Sequence, residues 1–327
     1  MPYSADILKE AKRRLAGQKA DRESLYHQHL YEAYAKVPRL KAIDLELRRT
    51  MTQAAQTVFT KGGDPVAAME QIRRENQKLQ QERQALVDSH FAPGYLDDTP
   101  VCSHCGGSGY VGSAMCRCLA LLCREEQKKM LSRLTTGQER FENFRLDYYS
   151  DRFDPAYGTS HRDIMQLTLK NCRNYAQAFA PGIGNLLFVG NTGLGKTFLA
   201  ACIADAVTDK GYSVAYESAP QLFAKLEKNR FDPDEQSRAD AERFATCDLL
   251  IIDDLGTEMS GNFVTAALYD LVNQRLVAQK SMIISTNLNA AEMAKRYSGQ
   301  IASRLQGSFK GLTFVGEDIR VKKNRGM

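Results

Sequence analysis

The spacing of apolar residues divides this chain into two regimes. From the start to about residue 90, isolated apolar side chains recur every three or four positions in a strongly polar background. That is the signature of helices with one buried stripe. The segment SADILKEAKRRLAGQKADRESLYHQHLYEAYAKV reads as one long helix carrying Tyr26, Tyr31 and Tyr34. Pro38 would open a second, with Leu40, Ile43, Leu47 and Met51 on one stripe. The breaker TKGGDP (60–65) precedes a third, with Met69, Ile72, Leu79 and Leu86 on a narrow stripe. Polar Asn76 and Arg83 interrupt its heptad seam, so the pattern favours a helical hairpin or small bundle over a long coiled coil. SHFAPGYLDDTPV reads as a linker, and LALLCREEQKKMLSRL as a helix leaving the cysteine-rich segment that follows that linker.

From about Arg140 the pattern changes. Short, nearly continuous apolar runs, NLLFV, SVAYE, DLLIID and SMIIST, alternate with helical segments. Runs apolar at every position are strands covered on both faces, and the alternation demands a parallel sheet with helical crossovers.

Composition narrows the class. The 327 residues are 43% hydrophobic and 25% charged, with a formal net charge of +5. A charge so small permits contact with nucleic acid without requiring it. No run approaches the ~18 apolar residues of a membrane span, and MPYSADILKEAKRR lacks the apolar stretch of a signal peptide. A cytoplasmic protein without a membrane partner is the expectation.

Residues 190–198 read GNTGLGKTF: Gly190, Asn191, Thr192, Gly193, Leu194, Gly195, Lys196, Thr197 and Phe198. The spacing G-x-x-x-x-G-K-T follows a strand-like run and precedes an Ala-rich helix. Glycines let backbone N–H groups turn inward around phosphate oxygens, and the helix N-terminus adds the positive end of its dipole. Lys196 would reach the β- and γ-phosphates and Thr197 would hold Mg²⁺. A second buried run, DLLIIDDLG, ends in Asp253 and Asp254. Adjacent carboxylates there are costly without a cation. Asp253 suits Mg²⁺, directly or through water; Asp254 is placed to orient an attacking water, with Glu258 the next candidate. A third run ends in Asn287, able to hold that water beside the γ-phosphate. Arg304, in QIASRLQG, and Arg320, in GEDIRVKK, fit either a surface ion pair or stabilisation of a transferring phosphate.

These motifs, with FENFRLDYYSDR ahead of them and IASRL behind, resemble the AAA+ ATPases of the DnaC/DnaI/IstB group over about residues 140–322. The resemblance implies an α/β P-loop core with strand order 5-1-4-3-2. It assigns Asn287 to the first sensor, Arg304 to an arginine finger acting on a neighbouring subunit's ATP, and Arg320 to the second sensor acting in cis. The segment around Phe144 would lie near the adenine. Asp254 stands where many AAA+ enzymes have Glu, which implies slow hydrolysis.

The eight cysteines are unevenly placed; five fall between Cys102 and Cys123. Cys102, Cys105, Cys116 and Cys118 follow C-x₂-C-x₁₀-C-x-C, four thiolates at a spacing that suits structural Zn²⁺. Gly106, Gly107 and Gly109 let the chain curl so that N–H groups face sulfur. His104 and Cys123 are alternative ligands. Cys172, Cys202 and Cys247 read as buried small hydrophobes.

The expected layout is a helical region (1–95), a zinc-binding cassette with its exit helix (96–135) and the AAA+ domain (140–327). A helical, zinc-containing front before the ATPase resembles DnaI-type loaders. That implies an ATP-dependent loader of the replicative DNA helicase in replication initiation. The front would bind helicase; the AAA+ domain would bind ATP, Mg²⁺ and single-stranded DNA and self-associate. An IstB-like transposition helper, or an adaptor that binds nucleotide without turnover, are the alternatives.

Overall fold

The computed structural model describes residues 3–57, 65–134 and 139–324. The 60–64 part of the breaker and the last three residues of the basic tail lie outside them, as do the side chains of Met51 and Met69. The chain forms two compact units, residues 14–116 and residues 1–13 with 117–327.

In the first unit, α1 (Ala5–Lys36) enters across the boundary, and α2 (Pro38–Thr57) and α3 (Pro65–His90) follow. Proline has no N–H to donate, so the chain bends at Val37 and restarts at Pro38. α2 and α3 pair antiparallel through polar contacts. Arg39 holds Glu82 at both carboxylate oxygens, 2.8 and 3.0 Å, Arg83 donates to Asp44 at 2.8 Å, and Thr50 donates to Asn76. Asn76 and Arg83, the residues that break the heptad seam, are therefore used within the hairpin. Ala33, Val37, Leu40 and Leu96 form the small core, with Leu86, Phe91 and Tyr95 packed against it. The stretch read as a linker is thus partly structural: Tyr95 stacks on Phe91 and His29, and Leu96 is buried.

The second unit is a five-stranded parallel sheet: β1 (Asn185–Val189), β2 (Val214–Ser218), β3 (Leu249–Leu255), β4 (Ser281–Thr286) and β5 (Phe309–Thr313), in spatial order β5-β1-β4-β3-β2. This is the expected 5-1-4-3-2 order. Helices α4 (Arg117–Leu134), α5 (His161–Ala178) and α6 (Lys196–Asp209) precede β2; α7 (Ala219–Phe231) and α8 (Glu235–Thr246) precede β3. α9 (Asn262–Val277) links β3 to β4, α10 (Ala290–Arg296) and α11 (Gly299–Ser308) link β4 to β5, and α12 (Ile319–Asn324) closes the described chain.

Side chains alternate across each strand, and both faces are covered. Phe188, Tyr216, Ile251 and Ile283 share one core with α5 and α6; Leu250, Ile252 and Ile284 share the other with α7 and α9–α11. α6 is apolar nearly all round, with Leu199, Ala200, Cys202, Ile203 and Val207 buried. α4 is tied to this unit by Gln127, which donates to the Thr208 hydroxyl at 2.8 Å and accepts the Val214 N–H at 3.1 Å. Among the described residues no helix is long and apolar enough to cross a membrane.

Candidate nucleotide site and metal centre

All strands point the same way, so the ends of β1, β3 and β4 open on one edge, where open parallel sheets place ligands. At that edge β1 leaves into the loop Gly190–Gly195, and α6 starts at Lys196. Glycine is required here for space as well as for turning. Gly193 has φ +77°, and a Cβ on it would lie 2.0 Å from Asp318 Oδ1. Gly195, φ +90°, has Phe144 and the Tyr149 hydroxyl each 3.1 Å from the same position. The loop is held from beneath by Tyr149, a fully buried residue whose hydroxyl donates to the Leu194 carbonyl at 2.9 Å. It is held from the side by Ile319, whose N–H donates to the Gly193 carbonyl at 3.0 Å.

Lys196 is 4% exposed and points back into its own loop. Its Nζ donates to the Gly190 and Asn191 carbonyls at 2.7 and 2.8 Å and to Asn287 Oδ1 at 2.6 Å. Asn287 in turn donates to the Thr192 hydroxyl at 3.3 Å. The lysine and the polar end of β4 therefore meet across the loop. Burial lowers the Lys196 pKa, while Asp254 and Asp253 pull it back up and Arg320 adds to the lowering. A buried cation resting on neutral oxygens is incompletely compensated, which favours an anion as its partner.

The acidic pair ends β3. Asp253 is buried; Tyr216 donates to its Oδ2 at 2.9 Å and Ser285 donates to its Oδ1. Burial, reinforced by Asp253, pushes the Tyr216 pKa far up, so it remains an O–H donor. Asp254 follows with φ +55°, a conformation rare outside glycine, where the register of β3 against β4 shifts between Ile252 and Leu255. Its pKa is raised by burial and then by Asp253, and lowered by Lys196 and Arg320. Thr197 lies half-buried in the first turn of α6.

Glu258 is spent on structure: it is buried and accepts from the Gly256 N–H at 2.9 Å, from Arg296 at 3.3 Å and from the Tyr297 hydroxyl. Asp254, by contrast, is half-buried and lies within the electrostatic reach of Lys196 and Arg320.

The two arginines separate. Arg320 is exposed, follows the turn packed on Gly193, and acts electrostatically on both Lys196 and Asp254. Arg304 is instead anchored to α9, donating to Asn273 Oδ1 at 2.6 Å and to the Tyr269 hydroxyl at 2.9 Å. Phe144 packs against Phe198 and Tyr149, with ring centroids 5.8 Å away in each case. Tyr149 lies in the segment FENFRLDYYSDR, but nothing in the sequence singles it out as a contact of the loop, and Tyr216, Ser285 and Asp318 carry no motif. Only Tyr216 and Ser285 leave a trace, as polar groups in otherwise apolar strand runs.

The cysteine cassette is a second centre. The Sγ atoms of Cys102, Cys105, Cys116 and Cys118 lie within 4.8 Å of one another. Those of Cys102 and Cys116 are 3.8 Å apart. Tetrahedral Zn–S bonds of ~2.3 Å require sulfurs about 3.8 Å apart, so the donor set fits zinc. The Gly109 N–H donates to Cys105 Sγ at 3.3 Å, and Ser108 closes the turn on the Cys105 carbonyl. His104 is outside the cluster, and Cys123 is buried elsewhere, its thiol pushed up to about 11 by burial.

Parts of this chain are similar to known proteins. The family model described as IstB-like ATP binding protein matches residues 116–305. The replicative helicase loader DnaC of Escherichia coli (strain K12) is 26% identical over 141 residues, 42% of this chain and 56% of the relative. The chain thus spans about half the length of these loader relatives. The insertion sequence IS21 putative ATP-binding protein of Pseudomonas aeruginosa is 23% identical over 214 residues, covering 62% of this chain and 77% of that one. Among solved structures, a crystal structure of the DnaC helicase loader aligns with a TM-score of 0.44 at 22% identity, over 54% of this chain and 98% of that one.

Proposed function

The chain belongs to the IstB-like ATP-binding protein family, and from that premise we propose that it is an ATP-dependent loader of a replicative DNA helicase. One observation carries the nucleotide part of this reading. Lys196 and Asn287 meet inside a glycine cradle beside Asp253 and Asp254, four groups from three separate strand ends. On ATP binding, Lys196 exchanges its neutral oxygens for phosphate, and Asn287 is released toward the γ-phosphate edge. Mg²⁺ held by Thr197 and Asp253 would neutralise phosphate charge. Asp254 orients the attacking water, and Arg320 supports the phosphate in cis. Arg304, pre-set by Asn273 and Tyr269, acts as the finger for a neighbouring copy. Asp254 reaches less far than glutamate, which fits slow, assembly-dependent turnover.

Single-stranded DNA contact is supported by an aromatic pair at the same unit's surface. Phe231, 68% exposed, lies 5.7 Å from Phe263, next to the exposed side chain of Arg230. Aromatic faces beside basic residues stack bases without sequence preference. The helical front with its zinc cassette is the part we assign to helicase.

A transposition helper is the second reading, favoured by the family model described as IstB-like ATP binding protein and by the similarity to an insertion-sequence ATP-binding protein. Affinity capture with the purified chain and ATP, from lysate of its source organism, separates the two. Recovery of the hexameric replicative helicase is the expected result. Recovery of a transposase in its place would transfer the assignment to the second reading.

A further inference from the structure

Asp253 sits in an unusual setting for a metal carboxylate: both of its oxygens accept side-chain hydroxyls from the two flanking strands. Tyr216 comes from β2 and Ser285 from β4. The Ser285 oxygen also accepts the Asp254 backbone N–H at 2.8 Å, so one hydroxyl joins both members of the acidic pair.

The register explains the meeting. Tyr216 stands opposite Ile251, and Ile251 opposite Ile283. Side chains alternate along strands, so Tyr216, Asp253 and Ser285 all face the α6 side of the sheet. Tyr216 and Asp253 are each 6% exposed and Ser285 is 0% exposed. Polar groups buried among Ile and Phe are costly unless each has a partner, and a phenylalanine at 216 would fill the same volume without that cost.

We propose that Tyr216 and Ser285 are positioning residues for the Mg²⁺ of the nucleotide site, fixing the Asp253 carboxylate in one orientation. This rests on the reading of Asp253 as the magnesium carboxylate. The choice of hydroxyls has a chemical logic. An arginine or lysine in either place would orient the carboxylate and also neutralise it, competing with the metal. A hydroxyl orients it and leaves its charge in place. Each oxygen has two lone pairs, of which one is used by the hydroxyl. The other remains for the metal or for a water bound to it. Partners of this kind fix ligand geometry in metal sites generally, and losing one typically costs ~10- to 100-fold in metal affinity.

The test uses the full-length chain, a fluorescent ATP analogue and a Mg²⁺ titration, with a parallel measurement in EDTA. Tyr216→Phe should raise the half-saturating Mg²⁺ concentration by roughly tenfold or more. Its affinity for the analogue in EDTA should stay within about twofold of wild type, a change worth no more than ~0.4 kcal/mol. Ser285→Ala should shift the Mg²⁺ midpoint in the same direction, and it carries the same expectation if Tyr216→Phe does not fold. Thermal unfolding establishes which variants are folded. Unmoved midpoints in folded variants overturn the proposal, and so does an equal loss of affinity with and without Mg²⁺, the mark of a purely structural role. A wild-type chain that binds the analogue no better in Mg²⁺ than in EDTA overturns the magnesium reading itself, a failure distinct from the other two.

Discussion

Replacing Gly193 with alanine tests the grip on the phosphate loop. The new Cβ would fall 2.0 Å from Asp318 Oδ1 and 2.2 Å from its Cγ, so one side must move. Asp318 is not free to swing away. Its Oδ1 accepts the Arg320 N–H at 2.8 Å, and the next residue, Ile319, is bonded to the Gly193 carbonyl at 3.0 Å. The alanine also inherits φ +77°, which costs an L-residue about 1–2 kcal/mol. Displacing the turn breaks one backbone hydrogen bond, worth about 1 kcal/mol. The total is about 2–3 kcal/mol. Arg320 belongs to the displaced turn, so the loss should appear in nucleotide affinity as a roughly 30- to 150-fold rise in Kd. Isothermal titration with ATP and Mg²⁺ measures it. Asp318→Ala alone should be mild, about 1 kcal/mol for a lost cap. The double variant should bind better than the sum of the two single effects, because the obstacle is gone and only the backbone strain remains. Strict additivity would refute the contact as the source of the effect. A Gly193→Ala protein within about threefold of wild type, equivalent to ~0.65 kcal/mol, would refute the loop geometry.

Two further perturbations probe other parts of the molecule. Freshly purified protein should carry one zinc per chain by elemental analysis, and Cys105→Ser should release it and loosen the cassette while ATP binding persists, since structural zinc supplies folding free energy; zinc-free wild type would end that reading. At the opposite edge of the sheet, Asp248 accepts from Ser213 N–H and hydroxyl at 3.0 and 2.8 Å and from Lys280 at 3.0 Å. Burial raises its pKa, but the Ser213 N–H, Lys280 and the Ser213 hydroxyl together outweigh that and hold it below the usual range. A depressed carboxylate contributes stability that is fully present above its unfolded pKa of about 4 and is lost as pH falls through the folded value. Asp248→Asn should therefore destabilise by about 1–2 kcal/mol at neutral pH, with the gap to wild type closing in acid. An equal gap at both ends of the pH range in thermal unfolding would count against the ion pair.

Local pattern was enough to determine a good deal about this protein. The phosphate loop is a contiguous segment whose turn depends on glycine at fixed spacing, and its lysine needs no distant residue to be recognised. Buried parallel strands are apolar at every position, so NLLFV, DLLIID and SMIIST were legible one by one. With the resemblance they carried, the strand order was legible too. The four cysteines lie within one short segment, and their spacing alone brings the sulfurs within reach of one ion. Tertiary structure decided which groups face one another. Tyr216, Asp253 and Ser285 lie on three strands, and only the register of the parallel ladder sets them side by side. Tyr149 and Asp318 reach the loop from before and after the sheet, contacts between residues far apart in sequence that no local period encodes. Glu258 and Asp254 look equivalent in LLIIDDLGTE; they differ because Arg296 and Tyr297 take up the first, whereas the second is half-buried beside Lys196 and Arg320. A spacing rule describes the chain along itself, whereas the chemistry of this site depends on distances measured across it.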